Sequence, residues 1–182
     1  MNEGDFMTSI RQKYFVKSNK QGNLSKVINI LFVGNSFTFY NDMPNTLENI
    51  GKTNGYSNLN VEHVTYGGTT LEKYATPSTK ESKAFVAKMN EKDWDYVILQ
   101  DHSSRPYTNP TSFNDAVATL TDYVKGKGSQ VILYATWAYR DGSSKLEDTG
   151  LSYTAFYEVL RDNYLNASIE KDTLLAPVGT AF

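Results

Sequence analysis

Five short apolar runs rich in β-branched residues, each followed by a segment whose apolar positions recur every three or four residues, constrain this chain more than any other feature. The runs are Val27–Gly34, Leu59–Tyr66, Asp95–Gln100, Gln130–Thr136 and Leu174–Val178. After the first, Pro44 suits a first helical position, Met43, Leu47 and Ile50 share a face, and Asn54-Gly55 supplies a left-handed stop. After the second, Ser78 with Glu81 has the spacing of a capping box ahead of Phe85 and Met89. Pro110 opens a third helix with Phe113, Ala116, Val117, Leu120 and Val124 on one side, closed by Gly126 and Gly128. A fourth runs over about 151–167 with Phe156, Val159, Leu160 and Tyr164 inward. Nearly continuous apolar strands joined by helices must lie parallel, because right-handed crossovers place helices on both faces of the sheet. The pattern therefore predicts an α/β fold: a three-layer α/β/α sandwich around a five-stranded parallel sheet.

At 182 residues the chain fits one domain, read as residues 27–182 behind a loosely ordered lead-in, 1–26, with a short helix around Ile10–Val16. Eighteen Lys and Arg against twenty Asp and Glu leave a net charge of −2, without the basic surplus that phosphate neutralisation needs, so nucleic acid is excluded as the main partner. With no cysteine there is no disulfide framework, thiolate metal site or cysteine nucleophile, and two histidines cannot build an all-histidine metal site. No apolar run reaches the length of a signal core or a membrane span, so the expectation is a cytoplasmic protein with no membrane association. No motif calls for a metal or an organic cofactor.

In parallel sheets ligands bind outside the carboxyl ends of the strands. The segments there are Gly34-Asn35-Ser36-Phe37-Thr38, Tyr66-Gly67-Gly68-Thr69, Gln100-Asp101-His102-Ser103-Ser104, Thr136-Trp137-Ala138 and Gly179-Thr180. A serine two residues past a buried strand can be a turn or capping residue. It can belong to an anion-binding loop of the flavodoxin type. It can also be a nucleophile, which needs a base for its proton and donors for the developing oxyanion.

The blocks LFVGNSFTFYNDMP, VTYGGTTLEKYA, WDYVILQDHSSRP, ATWAYR and LLAPVGTAF, in that order, resemble the SGNH/GDSL hydrolase superfamily, and within it a bacterial branch known as a domain of unknown function. The resemblance implies the flavodoxin-like SGNH hydrolase fold and an ester-hydrolysing serine enzyme. Ser36 matches the nucleophile, and its backbone N–H one oxyanion donor. Asn35 stands where aspartate is more usual, at a position without a catalytic role. Gly67 or Gly68 matches the second donor, although a glycine pair also serves any tight turn. The family's third donor is an asparagine in G-x-N-D, which this chain lacks. Gln100 is the candidate in its place, with Ser104 next, since some carbohydrate-esterase branches use a glutamine amide there; capping its own strand is Gln100's other reading. Trp137 is either a pocket wall or the edge of the core, with Asn35, His102 and Ser104 the other candidate wall residues.

The family's general base comes from a D-x-x-H motif near the C-terminus, and none occurs here. His63 falls mid-strand, away from the rim, and reads as structural. His102 sits on the third rim loop and could substitute as base, though Asp101 is badly placed to orient it because neighbouring side chains diverge. The chain therefore reads as C-terminally truncated relative to the family. An apolar strip on one sheet face is expected to be left uncovered, so that the protein either self-associates through it or folds with reduced stability. Three functions remain open: a serine hydrolase acting on a carbohydrate-like or small ester through an acyl-enzyme; a non-catalytic carbohydrate-binding or degenerate hydrolase module; and a flavodoxin-like anion or nucleotide binder.

Overall fold

Short apolar runs set the strands of the computed structural model, which describes residues 26–181; the expected lead-in helix lies outside the described residues. The strands are β1 (Ile28–Gly34), β2 (Leu59–Thr65), β3 (Tyr96–Leu99), β4 (Gln130–Tyr134) and β5 (Leu174–Ala176). All neighbours are parallel, in the order β2-β1-β3-β4-β5. Helices α1 (Ser36–Phe39) and α2 (Met43–Thr53) follow β1, α3 (Leu71–Ala75) and α4 (Lys80–Met89) follow β2, and α5 (Arg105–Thr108) and α6 (Pro110–Gly126) follow β3. After β4 come α7 (Ser144–Glu147) and α8 (Tyr153–Glu170).

One sheet face carries Leu31, Val33, Val97, Leu99, Val131 and Leu133, each no more than 2% exposed, under Phe85 and Met89 of α4, Phe113, Val117, Leu120 and Val124 of α6, and Tyr164 and Ala167 of α8. Burying side chains of this size contributes about 1.5–3 kcal/mol apiece, so this face dominates the stability. The other face, with Phe32, Val61, Ile98 and Tyr134, packs against Met43 and Leu47 of α2. Cover is thinner there: Ile30 and Ile132 are only half-buried, and Ile50, expected inward, is 56% exposed. Met43 and Leu47 seat α2 on this face, and one turn past Leu47 it is Gly51 that lies against Leu59 of β2, leaving Ile50 turned outward. No helix among the described residues is long and apolar enough to cross a membrane.

Local sequence explains most helix ends. Asn109 caps α6 by accepting from Ser112 N–H, and Pro110 takes the first position. The cap of α4 is Thr79, whose hydroxyl oxygen accepts from Ser82 N–H, and not the expected Ser78; Glu81 turns inward and is 5% exposed.

The strand order reverses direction at β1. The chain leaves β1 for one edge through α2 and crosses back through α4 to β3 on β1's other side. Connections after β1 and β3 therefore depart to opposite faces and open a crevice between them. Both polar segments GNSFT and QDHSS lie at that crevice.

Candidate active site

Ser36 opens α1 immediately past the end of β1 and is half-buried, at the surface of the crevice and outside the core. As the first helical residue it has no acceptor for its N–H within the helix. Its neighbours on both sides are held. Asn35 N–H donates to Gln100 Oε1 at 3.0 Å, and Phe37 N–H donates to Asn35 Oδ1 at 3.0 Å. Thr38, fully buried, donates its hydroxyl to the same Gln100 Oε1 at 2.9 Å.

The second rim segment is tied to the first at both ends. Tyr66 N–H donates to Gly34 O at 3.2 Å, and Asn35 Nδ2 donates to Thr69 O at 2.9 Å. Tyr74 of α3, 1% exposed, donates its hydroxyl to Gly34 O at 2.7 Å, and burial pushes that hydroxyl's pKa upward. Between these ties lies the exposed turn Gly67-Gly68, with Gly68 at φ 65. Neither glycine N–H meets a protein acceptor among the described residues. A Cβ on Gly67 would touch nothing within 4 Å, so packing does not require glycine there, whereas the positive φ of Gly68 favours it.

Gln100 departs from the oxyanion-donor reading and keeps closer to its other reading, a side chain that ties up the end of its own strand. It is 1% exposed, and its Nε2 donates to Asn35 Oδ1 at 3.0 Å and to Asp101 O. An amide nitrogen has two hydrogens, and both are spent inside the loop, so Gln100 has no donor left for an oxyanion. Gly34 follows from the same packing: a Cβ there would lie 2.5 Å from Gln100 Oε1. Its bareness answers a close approach, not a left-handed turn. Asn35 is likewise 2% exposed and lies beneath the site instead of forming its wall.

The other candidates scatter around the crevice. Trp137, past β4, stacks on Phe37 with centroids 4.5 Å apart and planes at 27°, so an aromatic pair flanks Ser36. Gly179 packs under it: its N–H donates to Ala135 O at 2.9 Å, and a Cβ there would collide with Thr136 O. Ser104 precedes α5 and its carbonyl accepts from Tyr107 and Thr108 N–H; its side chain makes no cap bond. Ser103 Oγ is 2.8 Å from the Tyr139 hydroxyl.

His102 is half-buried, and burial, helped by the charges of Lys145 and Arg105, lowers its pKa, which favours the neutral ring near pH 7. Asp101 does not orient that ring. Its Oδ1 accepts from the backbone N–H groups of His102 at 2.7 Å and of Leu71 at 2.9 Å. Asp101 is fully buried with Oδ2 unpartnered, and burial raises its pKa to about 6 against the pull of those two N–H bonds. Burial and the charge of Asp101 both raise the pKa of Tyr164, whose fully buried hydroxyl lies beside the Thr136 side chain and the Asp101 main chain. Sequence reasoning missed this buried polar group, because Tyr164 reads as an ordinary core position of α8. His63 sits exposed on edge strand β2 with Nδ1 2.8 Å from Thr65 Oγ1, away from the crevice.

The first loop makes a poor phosphate cradle. Of its N–H groups, Asn35 is taken by Gln100, Phe37 by Asn35 Oδ1, and Thr38 and Phe39 by Asn35 O. Anion cradles need several free N–H groups converging. Among the described residues no three or more His, Asp or Glu side chains gather so as to hold a metal ion.

No family model and no curated protein matches the chain. Solved structures do. A protein of Slackia heliotrinireducens assigned to the SGNH hydrolases is 30% identical, with a TM-score of 0.79 over 86% of this chain and 82% of that one. A DUF4886 family protein from Bacteroides uniformis is 19% identical, with a TM-score of 0.66 over 86% of this chain and 69% of that one. AlinE4, an SGNH-hydrolase family esterase, shares the fold at 14% identity and a TM-score of 0.65, covering 86% of this chain and 79% of its own. The sheet order, the crevice at β1 and β3, and the 30% identical relative together establish that this chain belongs to the SGNH hydrolase family.

Proposed function

We propose that the protein hydrolyses esters through Ser36. The observation that carries this reading is the pairing of a half-buried serine, at the switch point of the sheet, with two sets of N–H groups that meet no acceptor among the described residues: its own and those of Gly67-Gly68. Asn35 to Thr69 and Tyr66 to Gly34 bonds hold the two sets in one crevice. Ser36 Oγ would add to the ester carbonyl carbon, and the carbonyl oxygen, now negative, would be met by these N–H groups. Collapse expels the alcohol, which takes up a proton; water then adds to the acyl-enzyme, releases the acid and returns the proton to Ser36.

The proton acceptor in this reading is His102, neutral near pH 7 and on the adjacent loop, without a carboxylate behind its ring. Such a base is weaker than an oriented one, so turnover is expected to be slow. The substrate class is a carbohydrate-like or small ester: the Phe37–Trp137 pair offers an apolar ledge beside the serine, suited to a sugar ring's C–H face or a short acyl group. A structure neighbour described as an acetyl xylan esterase, 13% identical with a TM-score of 0.56, has the same fold and motivates acetylated sugars as the first substrates to try.

The test is hydrolysis of p-nitrophenyl acetate and of an acetylated sugar by the wild type and Ser36→Ala. Loss of about 100-fold or more in kcat/KM supports the reading; equal turnover excludes a serine mechanism. A second reading, a sugar-binding module without turnover, draws on the absence of an Asp–His side-chain pair at the rim among the described residues. It predicts saturable binding of the acetylated sugar with no acid released.

A further inference from the structure

The main-chain ladder between β1 and β3 ends where Gln100 N–H donates to Val33 O at 2.9 Å. Past that point the two strands separate toward opposite faces, and main-chain pairing cannot follow. A side-chain pair takes over. Gln100 Oε1 accepts from Asn35 N–H while Gln100 Nε2 donates back to Asn35 Oδ1, both at 3.0 Å, so the glutamine amide imitates one more peptide of the ladder. Asn35 Oδ1 at the same time holds Phe37 N–H, and Asn35 Nδ2 reaches Thr69 O on the second rim segment.

We infer that Asn35 and Gln100 form a buried amide clasp that sets the position of Ser36 against the Gly67-Gly68 turn, Gln100 acting through Asn35 as a positioning residue. The inference rests on Ser36 being the reactive group. Three features argue for it over a merely structural bond. The clasp joins all three rim segments that meet at the crevice, and Ser36 is the one residue lying between its two clamped N–H groups, those of Asn35 and Phe37. The amide orientations are fixed by backbone donors, since Asn35 N–H and Phe37 N–H both require oxygens opposite them. Neither position tolerates the acid. A carboxylate at 100 would set oxygen against Asn35 Oδ1 and Asp101 O, and one at 35 would set oxygen against Thr69 O. Inside the protein such unpaired or opposed groups are costly.

The experiment compares Gln100→Ala, Gln100→Glu, Asn35→Ala, Asn35→Asp and the double alanine variant with two readouts. One is the rate at which a p-nitrophenyl phosphonate modifies Ser36. The other is amide hydrogen exchange at Asn35 and Phe37, with the Val33 and Leu99 ladder amides as reference. Displacing a reacting group by about 1 Å costs on the order of 100-fold, so each single variant is expected to slow modification by about that factor. Because the two side chains act as one unit, the double variant should lose no more than the worse single. Exchange at Asn35 should accelerate at least about tenfold in Gln100→Glu and Gln100→Ala, with the ladder amides unchanged. Losses that multiply in the double variant would mean that Gln100 acts on the reacting atoms directly, and would overturn the clasp. So would unaltered exchange at Asn35, or an Asn35→Asp variant as reactive as wild type. If wild type takes up no phosphonate, the serine reading fails, and the exchange data still decide whether the clasp holds the turn.

Discussion

Asp101→Asn tests the electrostatics beneath the site. The wild-type carboxyl is fully buried, and burial lifts its pKa from 3.8 to about 6 despite N–H bonds from Leu71 and His102. A carboxyl raised in the folded state binds its proton there after the unfolded chain has released its own. Stability from this group is therefore highest below about pH 4, falls as pH rises, and has lost its full share by about pH 7. A shift from 3.8 to about 6 corresponds to roughly 3 kcal/mol. Asparagine removes the titration but keeps Oδ1 for both N–H groups, and its Nδ2 replaces the partnerless Oδ2. The variant should gain on wild type by up to about 3 kcal/mol between pH 4 and pH 7. Arg105 favours the carboxylate and Glu72 opposes it, and both remain in the variant. The assay is urea unfolding of both proteins at half-unit steps from pH 4 to 8. A pH-independent difference, or a variant that loses ground as pH rises, would refute the argument that burial outweighs the two N–H bonds.

Other predictions read different parts of the structure. Gly34→Ala drives a methyl group against Gln100 Oε1 and the Thr38 hydroxyl, and should cost about 2–4 kcal/mol in urea unfolding; a wild-type midpoint would contradict the packing at that site. Glu62 is held down to about pKa 2 because its bonds to Lys88, Lys92 and Asn60 outweigh its burial, so its contribution is present above about pH 4.5 and is lost as pH falls toward 2. It is partly exposed, and with solvent screening Glu62→Gln should cost no more than about 1 kcal/mol at pH 7 and nothing near pH 2. Gly68→Ala, at φ 65 with free space around it, should cost about 1 kcal/mol and slow phosphonate uptake, whereas Gly67→Ala should do neither. The half-buried Ile30 and Ile132 on the thinly covered sheet face predict self-association, which light scattering should show as a concentration-dependent mass; a constant monomer mass would remove that expectation.

Element type and order were legible because short apolar runs and period-3.6 patterns are local. Phe113, Val117, Leu120 and Val124 announce α6 without any tertiary knowledge, and all are buried. Helices α1, α3, α5 and α7 were not legible: at four or five residues they complete too few turns to impose a period. Thr79 and Ser78 are chemically equivalent caps, and the backbone chose between them. Ser36, Gly67 and Gly68 could be placed at the rim from strand ends alone. The role of Gln100 could not, since its partners Asn35 and Thr38 lie more than sixty residues away and become neighbours only when β1 and β3 pair. The same holds for Asp101, whose burial beside Tyr164 depends on how α8 packs.

The central claim is that Ser36 is a nucleophile facing N–H groups able to steady a negative oxygen. Incubation with a p-nitrophenyl phosphonate followed by peptide mass mapping tests it most directly. One covalent adduct is expected, on Ser36 and absent from Ser36→Ala. No adduct, or one located elsewhere that persists in Ser36→Ala, would contradict it.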